Sequence, residues 1–140
     1  MILFFGDHQP NVPASFLDAI SGKSKEDRTT EDDSYQMMTK YFLWTNYDSD
    51  FTQYDNLSAN YLSSYLLDCA GLDMPLYQQF LLQQMEEIPV VGRYGIYDEA
   101  GKFIDYDLVS PETLLDYRIL QYMRLEDRNS SNYYIFSDVE

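Results

Sequence analysis

An unbroken apolar run opens the chain at residues 1–5 and leads into Gly6, Asp7 and His8. Because no polar residue alternates within the run, it predicts a strand buried on both faces, as in a parallel sheet covered by helices. A second strand is predicted at residues 41–46, where aromatic and β-favouring side chains are dense. Asp7 and His8 would then lie at the carboxyl edge of the sheet, where open α/β folds bind their ligands.

Apolar residues three to four positions apart predict three longer helices with apolar side chains facing inward. The first begins near Ser58, a typical N-cap residue, and ends at Gly71. The second covers residues 76–87 and is ended by Pro89. The third begins at residues 110–112, where serine, proline and glutamate form a start signal. Its inward residues are predicted to be Leu115, Ile119, Tyr122 and Met123.

Shorter elements complete the prediction. A short helix follows Pro13, and residues 21–33, which hold no large apolar side chain, predict an exposed and mobile loop. Residues 93–97 and 102–106 flank a glycine-containing turn and predict a β-hairpin. Residues 133–136 predict a last edge strand. The predicted fold class is α/β, with a mixed sheet, helices, a β-hairpin and a C-terminal helix.

Composition limits the domain count and the partners. A chain of 140 residues with 45% hydrophobic content predicts a single domain over residues 1–140, or a piece of a larger one. The net charge of -15 argues against binding to nucleic acid or to anionic lipid. The single cysteine, Cys69, excludes an intrachain disulfide. No apolar run approaches the roughly 18 residues of a membrane helix, so we expect no membrane segment within this chain.

The Asp7–His8 pair is the candidate site. A carboxylate oxygen beside an imidazole nitrogen is a plausible half of a site for a divalent metal. In the alternative interpretation, Asp7 caps the helix that follows and His8 is a surface residue. The residues by themselves leave both interpretations open.

Four segments, in this order, resemble the C-terminal part of the lipoteichoic acid synthase-like proteins of the sulfatase and alkaline phosphatase superfamily. Residues 3–10 (LFFGDHQP) resemble a strand that ends in Gly-Asp-His, and residues 41–47 (YFLWTNY) resemble the strand that follows it. Residues 57–72 are similar to a helix that starts with serine and ends with alanine-glycine. Residues 116–122 resemble a D-Y-x-x-L-Q-Y helix. The similarity spans nearly the whole chain.

The resemblance implies a C-terminal fragment of an alkaline-phosphatase-superfamily catalytic domain. Family members are anchored in the membrane, act on its extracellular face, and transfer phosphoglycerol from phosphatidylglycerol to lipoteichoic acid or a related glycan. A threonine nucleophile works with a divalent metal, often Mn²⁺, with Mg²⁺, Ca²⁺ and Zn²⁺ as alternatives. By residue-to-residue match, Asp7 and His8 take the roles of two metal ligands. The nucleophile and a glutamate ligand are expected upstream of Met1, so we expect no catalysis by this chain alone.

Three functions stay open at this stage. The first is a segment of a phosphoglycerol transferase, whose partners would be a phosphatidylglycerol-type lipid and a glycan acceptor. The second is a segment of a sulfate-ester or phosphoester hydrolase of the same superfamily, and the third is a non-catalytic acidic interaction module. We also expect self-association through the first strand, because an apolar strand with an unpaired edge pairs readily with another chain.

Overall fold

The computed structural model describes residues 1–137, which form five α-helices and five β-strands. In chain order these are β1 (Ile2–Phe5), α1 (Ala14–Ser21), α2 (Thr30–Gln36), β2 (Tyr41–Trp44), α3 (Leu62–Cys69), α4 (Leu76–Glu87), β3 (Val90–Val91), β4 (Gly95–Tyr97), β5 (Phe103–Asp105) and α5 (Leu115–Glu126). Single turns of 3-10 helix lie at Lys25–Asp27, Ala59–Tyr61, Tyr106–Leu108, Pro111–Leu114, Ser130–Asn132 and Tyr134–Phe136. The predicted α/β class is confirmed.

The strands form two separate antiparallel sheets. β1 pairs with β2, and Phe4 lies opposite Phe42. β3, β4 and β5 form the second sheet in that order, and Gly101 makes the predicted β4–β5 hairpin turn with a φ of 75°. The prediction of one mixed sheet is wrong for residues 1–137, because none of their strand pairs is parallel.

β1 is extended, as predicted, but it is not buried on both faces. Leu3 packs against the core, whereas Ile2, Phe4 and Phe5 are exposed. The ring of Phe4 stacks on that of Phe42 with centroids 4.8 Å apart. The chain supplies a layer for the inner face of β1 alone, so the outer aromatic face meets solvent and one edge of β1 has no partner among the described residues. Self-association through that edge stays a prediction.

The core lies where α3, α4 and β4 meet. Its buried residues are Tyr61, Tyr65, Leu81, Met85, Ile88, Ile96, Leu114 and Tyr117. The predicted helix stop at the end of α3 is confirmed, because Gly71 has a φ of 65° and its N–H donates to the carbonyl of Asp68. Ser58 is extended and precedes the 3-10 turn that leads into α3, but its side chain makes no capping bond.

The predicted stripe of α5 is wrong in part. Leu115, Ile119 and Tyr122 are exposed, and the helix buries Tyr117. The Tyr117 hydroxyl accepts hydrogen bonds from Asn60 Nδ2 at 2.8 Å and Gln121 Nε2 at 2.6 Å. With these polar contacts, α5 turns the face that carries Tyr117 toward the core. The spacing of its apolar residues had indicated a different face.

Residues 21–33 are mostly exposed, as predicted, but the prediction that they form a loop is wrong. This segment holds a 3-10 turn and the start of α2, where Thr29 and Asp32 form a capping box. Arg28 is buried within it and lies between Asp18 and Asp33. Residues 133–136 form a 3-10 turn instead of the predicted strand. No helix among residues 1–137 is both long enough and apolar enough to cross a membrane.

Candidate functional site

Two strands hold the segment that carries Asp7 and His8. The backbone N–H of Gly6 donates to the carbonyl of Lys40 at 3.0 Å, and the Thr39 hydroxyl donates to the carbonyl of Gly6 at 2.6 Å. A Cβ atom at position 6 would lie 3.0 Å from the Cβ of Thr39, so only glycine fits this approach without displacing its neighbour. These contacts hold the backbone at Gly6, so the position at which Asp7 and His8 follow β1 is restrained.

The Asp7 and His8 side chains face each other. Asp7 Oδ2 and His8 Nε2 are 3.6 Å apart, and the two side chains are 81% and 77% exposed. The Nδ1 atom of His8 lies 2.9 Å from the carbonyl oxygen of Gln9. A carbonyl only accepts, so Nδ1 carries hydrogen and Nε2 of the neutral ring keeps its lone pair. The pair therefore presents one oxygen and one nitrogen donor to a common point.

This donor set fits half of a divalent-metal site. An ion that binds oxygen and nitrogen at about 2.1 Å each can bridge donors up to about 4.2 Å apart, and the observed separation lies within that reach. Within residues 1–137, no cluster of three or more histidine, cysteine, aspartate or glutamate side chains is placed to hold a metal. The capping alternative for Asp7 is wrong, because α1 begins after Pro13 without any side-chain cap.

A cleft of about 210 Å³ opens beside Asp7. Ser58 and Arg93 line it together with Asp7. The Ser58 hydroxyl accepts from the backbone N–H of Val91 at 2.7 Å, which fixes the wall that β3 forms. Arg93 is the basic residue of the lining, and its guanidinium lies 5.6 Å from the ring centroid of Tyr94. Among the described residues, no carboxylate lies within ion-pair distance of Arg93.

A second, larger cleft of about 570 Å³ adjoins the first. The two share a wall that includes Thr39 and Asn56. Asp7 lines the smaller cleft and Gln9 lines the larger one, so the Asp7–His8 pair lies at their boundary.

Sequence reasoning missed Arg93 and the larger cleft. Arg93 stands 86 positions after Asp7 in the chain, and no local pattern distinguishes it from the other basic residues. Arg93 and Asp7 line one cleft because the tertiary structure brings the turn between β3 and β4 toward the end of β1. The exposed ring of Tyr35 and the amide side chains of the larger cleft are likewise scattered between residues 9 and 56.

One curated protein shows similarity along the chain. The protein of Rhizobium meliloti (strain 1021) named "Putative cyclic beta-1,2-glucan modification protein" is 29% identical over 147 residues. The match takes in 100% of this chain and 23% of the relative, so the chain spans about a quarter of that protein's length. No protein-family model matches the chain, and no solved structure matches it.

Proposed function

We propose that this chain is a segment of a cell-envelope enzyme that transfers phosphoglycerol from phosphatidylglycerol to a glycan. Asp7 and His8 supply two ligands of its divalent metal, Mn²⁺ in the first instance. The observation that carries the proposal is the Asp7 Oδ2–His8 Nε2 pair, 3.6 Å apart at the carboxyl end of β1. The similarity to a protein named for glucan modification supports a glycan as the acceptor.

The smaller cleft needs the proposed metal to attract an anionic ester, because Asp7 and Asp55 outnumber Arg93 among the charged residues of its lining. A bound divalent cation would supply positive charge that offsets the charge on phosphoryl oxygens. Asp7 orients its carboxylate toward that position, and the hydrogen bond from His8 to Gln9 fixes the ring so that Nε2 faces the same way. Arg93, an exposed residue of the same lining, would offer a guanidinium fork to the ester.

The remaining parts of the proposed reaction centre lie outside this chain. The nucleophile is the threonine that the resemblance implies upstream of Met1, together with a glutamate ligand. The proposed location is the extracellular face of the cell membrane. With two protein ligands, this chain by itself is expected to bind a metal weakly and to turn over no phosphatidylglycerol.

Metal binding by this chain can be tested with Mn²⁺ and nuclear magnetic resonance. Mn²⁺ broadens the signals of nearby nuclei, so we expect selective loss of the amide signals of residues 6–9. Because the chain carries a net charge of -15, weak broadening elsewhere is expected as well. Asp107→Asn removes the same charge from an exposed aspartate outside both clefts and is the matched control. Asp7→Asn should abolish the selective loss, and Asp107→Asn should leave it unchanged.

Activity is tested in the longer protein that contains this chain. We expect Asp7→Asn and His8→Gln each to lower the transfer of glycerol phosphate from phosphatidylglycerol by at least a hundredfold, because removing a group that only orients a metal ligand already costs about ten- to a hundredfold. Arg93→Ala is expected to raise KM more than it lowers kcat, because a guanidinium on the ester binds ground state and transition state alike. Full activity of the Asp7→Asn variant would refute the proposal.

A further inference from the structure

We propose that the larger cleft binds a neutral glycan. This inference rests on the proposed function only in calling that glycan the acceptor of the transfer. Six of its side chains carry the argument, which are Gln9, Tyr35, Gln36, Phe42, Gln53 and Asn56. The proposed metal and the anionic ester lie at the smaller cleft, so the larger cleft is free for another ligand.

Exposed aromatic rings and amides are combined in this lining. Tyr35 is 69% exposed, so its ring keeps apolar surface that no other side chain covers. Phe42 is 58% exposed, although one face of its ring stacks on Phe4. Amide side chains both donate and accept hydrogen bonds, as sugar hydroxyls do. A pyranose has an apolar face of C–H groups and a rim of hydroxyls, and this lining complements both.

Gln36 adds an unsatisfied donor. Its Oε1 accepts from Arg28 Nη1 at 2.8 Å, which fixes the orientation of the amide. Its Nε2 is buried and has no acceptor among the described residues. A buried donor without an acceptor is costly, so a shift of the Gln36 amide that brought Nε2 to a ligand hydroxyl in the cleft would recover that cost.

The charge of the cleft favours a neutral ligand. Lys40 and Asp55 are the charged residues of its lining, and their charges cancel. The chain as a whole carries a net charge of -15, which disfavours any anion in a cleft without excess positive charge. The larger cleft therefore differs from the smaller one, where Arg93 and the proposed metal would meet an anionic ester.

The position of the cleft fits an acceptor. Gln9 lies in it, two residues after Asp7, which lines the smaller cleft. A glycan on Tyr35 and Gln53 would thus present a hydroxyl near the Asp7–His8 pair. The proposed transfer needs this arrangement, since the acceptor hydroxyl must reach the ester.

The experiment is a titration of the isotope-labelled 140-residue chain with a neutral linear β-1,2-linked glucose tetrasaccharide. Chemical-shift changes are expected at residues 35–36, 42, 53 and 56. Tyr35→Ala should weaken binding about tenfold, the loss expected for one aromatic contact with the ligand. Tyr122→Ala is the matched control, because Tyr122 is 67% exposed, lies on α5 and lines neither cleft. A galacturonic acid tetrasaccharide, which is anionic, should bind at least tenfold more weakly.

Three results would overturn the inference: no shift at these residues under excess tetrasaccharide, equal weakening by Tyr35→Ala and Tyr122→Ala, or tighter binding of the anionic tetrasaccharide. Gln53→Ala, a change at an exposed position, provides a second variant if Tyr35→Ala fails to fold.

The Mn²⁺ titration distinguishes the proposed metal site from the proposed glycan cleft. Metal binding without glycan binding refutes the glycan cleft alone, and glycan binding without metal binding refutes the metal site alone.

Discussion

Replacing Arg28 with alanine should destabilise the protein by about 2–3 kcal/mol, because it leaves the carboxylates of Asp18 and Asp33 without the guanidinium that pairs with them. The Arg28 side chain is 6% exposed, and it lies 3.7 Å from Asp18 Oδ1 and 3.5 Å from Asp33 Oδ1. It also donates to Gln36 Oε1 at 2.8 Å. Arg28 thereby connects α1 to α2 in a region that contains no large buried apolar side chain.

The magnitude follows from these distances. At an effective dielectric constant of about 20, each ion pair is worth about 4–5 kcal/mol of attraction, and desolvation of the guanidinium offsets several kcal/mol of the total. Removing one partner of a fully buried pair costs about 3–5 kcal/mol. The Asp18 and Asp33 side chains are 35% and 42% exposed, so water stabilises them in part and the expected cost falls to about 2–3 kcal/mol.

Urea unfolding followed by circular dichroism measures this cost. Arg28→Met keeps the length and the packing of the side chain but loses its charge, so it should be about as destabilising as Arg28→Ala. Adding Asp33→Asn to Arg28→Ala should recover part of the loss. Arg128→Ala, at an exposed position without an ion pair among the described residues, is the control and should change the free energy of unfolding by less than about 0.5 kcal/mol. Wild-type stability of Arg28→Met would show that packing, and not charge, holds the segment.

Three further predictions concern stability. Gly95→Ala should destabilise the protein by about 1–3 kcal/mol in urea unfolding, because the new Cβ would lie 2.4 Å from the carbonyl oxygen of Ile104. Ser58→Ala should cost about 1–3 kcal/mol in the same assay, because it removes the hydroxyl that accepts from the partly buried Val91 N–H. Burial raises the pKa of Tyr117 from its ordinary value of 10.0 to about 12, so its contribution to stability is full below pH 10 and is lost as the pH rises through about 12. Tyrosinate absorbance during a pH titration should show one late-ionising group fewer in Tyr117→Phe, and an unchanged titration curve would contradict the raised pKa.

Local signals in the sequence were sufficient for several elements. Residues 76–87 form α4 as predicted, since a proline ends the periodic segment and the spacing of its apolar residues suits a helix. The β4–β5 hairpin depends on Gly101, because a glycine adopts the positive φ of this turn without the steric cost that a side chain would add. The sequence also indicated that Asp7 and His8 follow a strand, because an apolar run that stops at a glycine is a local pattern.

The sequence by itself determined most of the helices and strands, though not α2, because caps, prolines, glycines and apolar spacing act within a few residues. Only the tertiary structure decided which faces are covered. It exposes the aromatic face of β1, buries Arg28 in a segment without large apolar residues, and turns Tyr117 inward. It also brings Arg93 to the cleft of Asp7. Such contacts join residues far apart in the chain, and their free energy depends on which surfaces meet, so no local pattern contains it.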